Sequence, residues 1–338
     1  MTPHTAPRIA FAVAAVALVT VAVAMTSCGE KSEDSVSADS KPLDLALDFF
    51  VNPDHAGIYT GIDQGFFERA GLEVTPRVPS DPSAPIKEVA AGRADLAISY
   101  EPEVLLAREQ GLDVIAVAAL VDEPLTSLIT LPDSGVTKPS DLQGKTVATA
   151  GIPYQSDYLA TILSEAGVDS GSVEEVSVGF NLLPAILGGQ ADAILGGFRN
   201  VEGVDLALRG ENPVVQPVNQ LGVPTYDELV LVARESDLEE RTEELSLFIA
   251  ALRKGTAAAV ADPAAAARVI LANGEGLDPD LTRAEIEATL PLLAEDPKER
   301  FGEMSADEWQ LFASWMAENG LIADVPPTEE LFTNQLLP

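Results

Sequence analysis

A scatter of aromatic rings and carboxylates in this chain has the composition of a small-molecule site. Phe49, Phe50, Tyr59, Tyr100, Tyr154, Phe198 and Tyr226 fall near expected strand ends, in company with Asp48, Asp54, Glu101 and Glu202. Aromatic residues make up only 5% of the chain, so their gathering at such points is informative. Flat π-faces with a few acceptors suit a planar, nitrogen-rich heterocycle, held by stacking and by hydrogen bonds to its N–H groups. For any single ring the competing account is ordinary core packing. Glu202 could equally complement the positive end of a helix, and His55 could be a capping histidine rather than a ligand contact.

Other chemistries lack their residues. His4 and His55 are the only histidines and Cys28 the only cysteine, so no metal-ligand cluster is readable. Nothing places a nucleophile beside His55. The pairs Gly188-Gly189 and Gly196-Gly197 match neither a dinucleotide fingerprint nor a phosphate loop. No catalytic residue and no cofactor is expected, and the chain reads as a binder rather than an enzyme.

Repeated strand and helix patterns must position those groups. Leu43 to Leu47 reads as a short strand, and Ile58, Ile62, Phe66 and Ala70 as the buried stripe of a helix closing at Gly71. Between them lies an elbow, with Asn52 as N-cap and Pro53 in the first helical position. Strands follow at 72–78, 95–99 and 114–120, and again at 128–131, 146–150, 173–178 and 191–195, alternating with helices at 86–91, 157–166 and 182–187. The pattern predicts mainly parallel sheets flanked by helices, which collect ligands at the C-terminal ends of their strands. A second elbow spans Gly196 to Gly203, so two α/β units each offer one wall of a cleft. Leu229 to Ala233 reads as a strand returning to the first unit. From Ser236 onward the periodicity is helical, with Trp309, Phe312, Trp315 and Met316 spaced as core and an apolar tail at 331–338 that docks on the body.

The chain has 338 residues, 46% of them hydrophobic, which is ample for packed cores. Its 54 acidic and 20 basic residues give a net charge of -34, which argues against nucleic acid or anionic lipid as partner. Residues 1–27 read as an export signal, with an uncharged Ala/Val-rich run from Ile9. Met25-Thr26-Ser27-Cys28-Gly29 resembles a bacterial lipobox, which implies lipidation at Cys28. Residues 28–42 are polar and read as a tether. The protein is expected outside the cytoplasm, on the outer face of the cytoplasmic membrane, touching the bilayer through that lipid only.

Three stretches, Asp48 to Tyr59, Asp122-Glu123-Pro124 and Gly197-Phe198-Arg199-Asn200-Val201-Glu202-Gly203, resemble the thiamine-pyrimidine-precursor branch of ABC-importer substrate-binding proteins. The ending, Gly302 to Trp309, Asn319 to Ile322 and Phe332-Thr333-Asn334, is similar too. The resemblance implies a two-lobed type II periplasmic-binding-protein fold with ligand in the interlobe cleft. One lobe is then 43–122 plus 229–338 and the other 123–228, with hinges near Val121 to Thr126 and Tyr226 to Val230. It implies a monomer that delivers hydroxymethyl- or formylamino-aminopyrimidine to an ABC permease and its ATPase. Phe49 then stacks on the ring and Glu202 pairs with its amino group. The ligand-binding set expected is Asp48, Phe49, Asn52, His55, Tyr59, Ser99, Tyr100, Tyr154, Phe198, Asn200, Glu202 and Tyr226. Many relatives carry Trp at the Phe49 position, and the His55 to Tyr59 stretch also looks like riboflavin binders. Riboflavin or another flat vitamin is therefore the alternative ligand, and sulfonate or nitrate the next. Pyrimidine synthases share the resemblance around His55 but carry a cysteine-rich segment where this chain has Gly222 to Glu228 without cysteine.

Overall fold

The computed structural model describes residues 40–293 and 301–338. The expected export signal, Cys28 and nearly all of the tether lie outside the described residues. Chain order begins with β1 (Lys41–Ala46), a 3-10 turn over Pro53–His55, α1 (Ala56–Asp63), α2 (Phe66–Arg69), β2 (Leu72–Arg77), α3 (Pro85–Ala90), β3 (Leu96–Ser99), α4 (Glu101–Glu109) and β4 (Ile115–Val121). It continues through β5 (Thr126–Thr130), β6 (Thr146–Thr149), α5 (Tyr154–Glu165), β7 (Glu174–Ser177), α6 (Leu182–Leu187), β8 (Ala193–Phe198), α7 (Glu202–Leu208) and β9 (Val214–Pro217). After β10 (Leu229–Ala233) the chain is helical, with α8 (Asp237–Glu240), α9 (Thr242–Ala261), α10 (Pro263–Asn273), α11 (Pro279–Thr289) and α12 (Ala306–Glu318).

Two five-stranded sheets result, in the orders β2-β1-β3-β10-β4 and β7-β6-β8-β5-β9. The central strands are apolar throughout: every residue of β4 and of β10 is buried, as befits strands covered on both faces. Within each sheet one strand opposes the rest, β10 in the first and β5 in the second. Each is the strand by which the chain enters from the other sheet. Entering at the cleft end, it runs away from the cleft, while its neighbours run toward it. The sheets are therefore mixed, with four strands of each in one direction.

Several sequence expectations shift. The stripe from Ile58 to Ala70 is two helices rather than one, because Gly65 sits at φ 67 and breaks the first. β8 runs on to Phe198, so the second elbow begins later than the Gly196-Gly197 pair suggested. α5 starts at Tyr154, three residues before the expected Asp157, which brings Tyr154 and Gln155 into its first turn. β9 was not anticipated: its residues Val-Val-Gln-Pro are half-buried at a sheet edge and too few to show a period. The C-terminal tail docks as expected, with Phe332 bridged to Ala116 and Leu331 and Leu336 buried. Trp309, Phe312 and Met316 are core.

The two passages between the sheets, at 122–125 and 218–228, are tied by one side chain. Glu228, fully buried, accepts from the backbone N–H of Leu125 (2.8 Å) and Thr126 (2.7 Å), from the Thr126 hydroxyl (2.9 Å) and from the Tyr226 hydroxyl (3.0 Å). Four donors on one carboxylate offset much of its desolvation; burial still pushes it up to about 6. Replacing Glu228 by Leu, which leaves two backbone donors buried and unpaired, is expected to cost about 2–5 kcal/mol of unfolding free energy. Glu228→Gln, which keeps one acceptor oxygen, is expected to cost under about 1.5 kcal/mol. Urea unfolding measures both, and a Leu variant as stable as the Gln variant would rule out this role.

Candidate functional site

The first elbow is built by local hydrogen bonds. Asn52, extended at φ -145 and ψ 176, caps the 3-10 turn: its Oδ1 accepts from the Asp54 N–H (2.8 Å) and its Nδ2 donates to the Phe50 carbonyl (3.1 Å). His55 completes the cap by accepting the Asn52 N–H at Nδ1 (3.3 Å). That acceptor role places a ring proton on Nε2, which donates to Asp48 Oδ1 at 2.8 Å. The second Asp48 oxygen accepts from the Tyr100 hydroxyl at 2.9 Å. Asp48 is thus locked between the turn that follows β1 and the residue that follows β3. Burial, and next the Asp48 charge, hold the Tyr100 hydroxyl protonated well above its ordinary range. The clamp leaves Phe49 as the ring presented beside it.

The second wall comes from α5, β8 and α7. Tyr154 and Gln155 open α5, Phe198 ends β8, and Glu202 begins α7. Glu202 turns back on its own elbow, accepting the Phe198 N–H at 2.7 Å. Burial pushes its carboxyl up to about 7, against the backbone N–H bonds that hold it down. Both walls face one narrow cleft, lined by Asp48, Phe49, Asn52 and Tyr100 on one side and by Tyr154, Gln155, Phe198 and Glu202 on the other. Phe180, from the turn before α6, packs edge-on against Phe49 (centroids 4.7 Å apart) and tilted against Phe50 (4.6 Å), so aromatic contact bridges the walls at the mouth.

Seven of the twelve expected ligand residues line this cleft: Asp48, Phe49, Asn52, Tyr100, Tyr154, Phe198 and Glu202. The other five serve elsewhere. His55 lies beneath the elbow with both ring nitrogens engaged. Tyr59 is buried in α1, and the Ser99 hydroxyl donates to Glu103 at 2.8 Å. Tyr226 packs on Tyr158 and Phe312 behind the second wall. Asn200 joins the two elbows directly: its Nδ2 donates to Asp54 Oδ1 (2.8 Å) and to the Thr289 hydroxyl (2.9 Å). Sequence reasoning missed Thr126, Ile152, Gln155 and Gly196 in the lining, and Phe180 at the mouth. For Gln155 a signal existed, since it follows an expected strand end; its alignment depended on where α5 starts.

Carboxyls crowd the seam around Asn200. Burial and then the Asp48 charge push Asp54 up to about 8, opposed by the Asn200 bond. Burial, then Glu202, Asp205 and Asp54, push Glu285 of α11 up to about 8. Burial and the neighbouring carboxylates favour the neutral form of both.

A family model described as NMT1/THI5 like matches residues 52–266. A formylaminopyrimidine-binding protein of Halalkalibacterium halodurans is 35% identical over 296 residues, 86% of this chain and 89% of its own. A 4-amino-5-hydroxymethyl-2-methylpyrimidine phosphate synthase of Aspergillus parasiticus is 26% identical over 307 residues, 87% of each chain. The solved alkanesulfonate-binding protein of Xanthomonas axonopodis pv. citri, bound to MOPS, matches with a TM-score of 0.70 over 88% of this chain and all of its own, at 16% identity. That likeness shows the fold, the two-lobed periplasmic-binding-protein architecture expected from the sequence.

The raised carboxyls set a pH dependence. In the unfolded chain these groups titrate near 4. Their folded values lie near 7 to 8, so the folded state binds more protons between the two. Stability is then fully present below about 4 and is lost as pH rises through about 8. The melting temperature is expected to fall from pH 5 to pH 8.5, and Asp54→Asn, which keeps an acceptor for Asn200, to flatten that fall. Equal slopes in the two proteins would exclude Asp54 as a contributor.

Proposed function

The chain belongs to the NMT1/THI5-like family, and from that membership together with its cleft we propose that it is the extracytoplasmic solute-binding protein of an ABC importer for a thiamine pyrimidine precursor. The ligand is hydroxymethyl- or formylamino-aminopyrimidine. One observation carries the reading: Phe49 and Glu202, an aromatic face and an acid from opposite walls, line the same cleft. The ring of the ligand stacks on Phe49, with Tyr100, Tyr154 and Phe198 closing the box. Glu202 meets its amino group from the other side. The lobes, 43–122 plus 229–338 and 123–228, close around the ligand over the passages joined by Glu228 and present a combined surface to the permease. Residues 1–27 direct export and Cys28 carries the lipid that holds a monomer at the membrane.

Two alternatives fit less well. An anion such as a sulfonate calls for cationic or N–H donors, whereas the lining holds Asp48 and Glu202 and neither Lys nor Arg. A synthase calls for the cysteine-rich segment that its relatives carry, and Gly222 to Glu228 holds no cysteine. Riboflavin remains the second ligand to test, because its ring system would also stack on Phe49.

A thermal-shift screen of the unlipidated protein against aminopyrimidines, thiamine, riboflavin, taurine and nitrate tests the reading, since a ligand that binds only the native state raises the melting temperature. A shift with an aminopyrimidine is expected, and a shift with riboflavin or taurine alone would replace the ligand. Calorimetric titration of Phe49→Ala and Glu202→Gln is expected to show each weakening binding by about 1–3 kcal/mol. Unchanged affinity in both would remove the site.

A further inference from the structure

The polar groups on the cleft wall divide into those already paired within the protein and those left for a ligand. Asp48 accepts from His55 and Tyr100, Asn52 caps its turn, and the Thr126 hydroxyl donates to Glu228. One Glu202 oxygen accepts from Phe198. Gln155 differs. Its side chain is 1% exposed, it lines the cleft, and its Oε1 has no hydrogen-bond partner among the described residues. A buried amide oxygen without a partner is unfavourable unless something else supplies the donor.

The backbone opposite is shaped to admit that amide. Gly196 lies inside β8 at φ +108, a conformation that disfavours any side chain, and a Cβ built there would collide with the Gln155 amide nitrogen. Glycine within a strand weakens the strand and marks a close approach. Here the approach is that of the Gln155 carboxamide, whose nitrogen would lie 2.4 Å from a Cβ at Gly196.

Resting on the pyrimidine reading above, we propose that Gln155, seated against Gly196, is the specificity-determining residue of the second wall and reads the paired edge formed by an exocyclic amino group and its adjacent ring nitrogen. A carboxamide offers one acceptor and one donor side by side in a plane. Oε1 accepts one amino hydrogen, Nε2 donates to the ring nitrogen, and the other amino hydrogen is left for Glu202. Glutamine makes a similar donor–acceptor bidentate contact with the N6/N7 edge of adenine. A carboxylate alone cannot donate to the ring nitrogen.

The test is calorimetric titration of wild type, Gln155→Met and Gln155→Leu with 5-hydroxymethyl-4-amino-2-methylpyrimidine and with its analogue lacking the 4-amino group. Gln155→Met is expected to weaken binding of the amino ligand by about 10- to 100-fold, and of the deaminated one by less than about threefold. Gly196→Ala, which pushes the amide aside, is expected to give the same selective loss. Two results would overturn the assignment while leaving the pyrimidine reading in place. One is that both Gln155 variants keep wild-type affinity for the amino ligand. The other is that they weaken both ligands equally, the mark of a structural role. A wild-type protein that binds neither ligand would remove the pyrimidine reading and this assignment together.

Discussion

The cleft depends on a buried carboxylate at the place where the chain changes sheets. Four strands of each sheet run in one direction and the fifth opposes them because it enters from the cleft. Both passages therefore lie at the floor of the cleft, where their backbone donors would be buried. Glu228 satisfies the donors of Leu125 and Thr126 on the first passage from its place on the second. The Arg199 N–H adds a bond to the Leu125 carbonyl, which ties the second elbow to the same point. The two walls are thus referenced to one side chain. A cleft assembled from distant segments needs such a joint if its walls are to meet in register.

A second constraint is charge. Most of the described acidic residues are at least partly exposed, but several carboxyls stand buried in the seam between the elbows. Asp54 and Glu285 remain there as neutral acids, since burial disfavours the charged form and neighbouring carboxylates disfavour it further. In the neutral form Asp54 can accept from Asn200 without repulsion from the carboxylates around it.

The sequence disclosed strands and helices well where periodicity is strong, as in the apolar runs that became β4 and β10. It disclosed the first elbow nearly in full, because Asn52 and Pro53 carry a local signal that needs no tertiary information. It was weaker where long-range contact decides the role of a residue. His55 reads as a ligand group until Asp48 is seen beside it, and Asn200 reads as a site residue until Asp54 is found 2.8 Å from its amide. Both are polar side chains spent on positioning. Gln155 shows the opposite error, since a three-residue shift in the start of α5 separates a loop glutamine from one in the first helical turn facing the cleft. Phe180 lay in a turn with no period to mark it, and only the approach of the second unit brings it to Phe49.

The two walls then have different work. On the first, Asp48, Asn52, His55 and Tyr100 satisfy one another, so what that wall offers a ligand is chiefly the face of Phe49 and the flanking ring of Tyr100. A surface of that kind binds flat molecules strongly and distinguishes them poorly, because every planar ring has a π-face. On the second, Glu202 and Gln155 keep unsatisfied capacity at the cleft. A polar group left unpaired by the wrong ligand costs more than a lost apolar contact, so discrimination concentrates where that capacity is held. On the proposed reading, the polar share of selectivity falls to the second wall, while rings from both walls, Phe49 and Tyr100 with Tyr154 and Phe198, supply the stacking surface. Since the walls come from different sheets, a change at Gln155 or Gly196 is expected, on that proposal, to alter which ring is accepted while the Asp48 clamp and the Glu228 joint stay as they are.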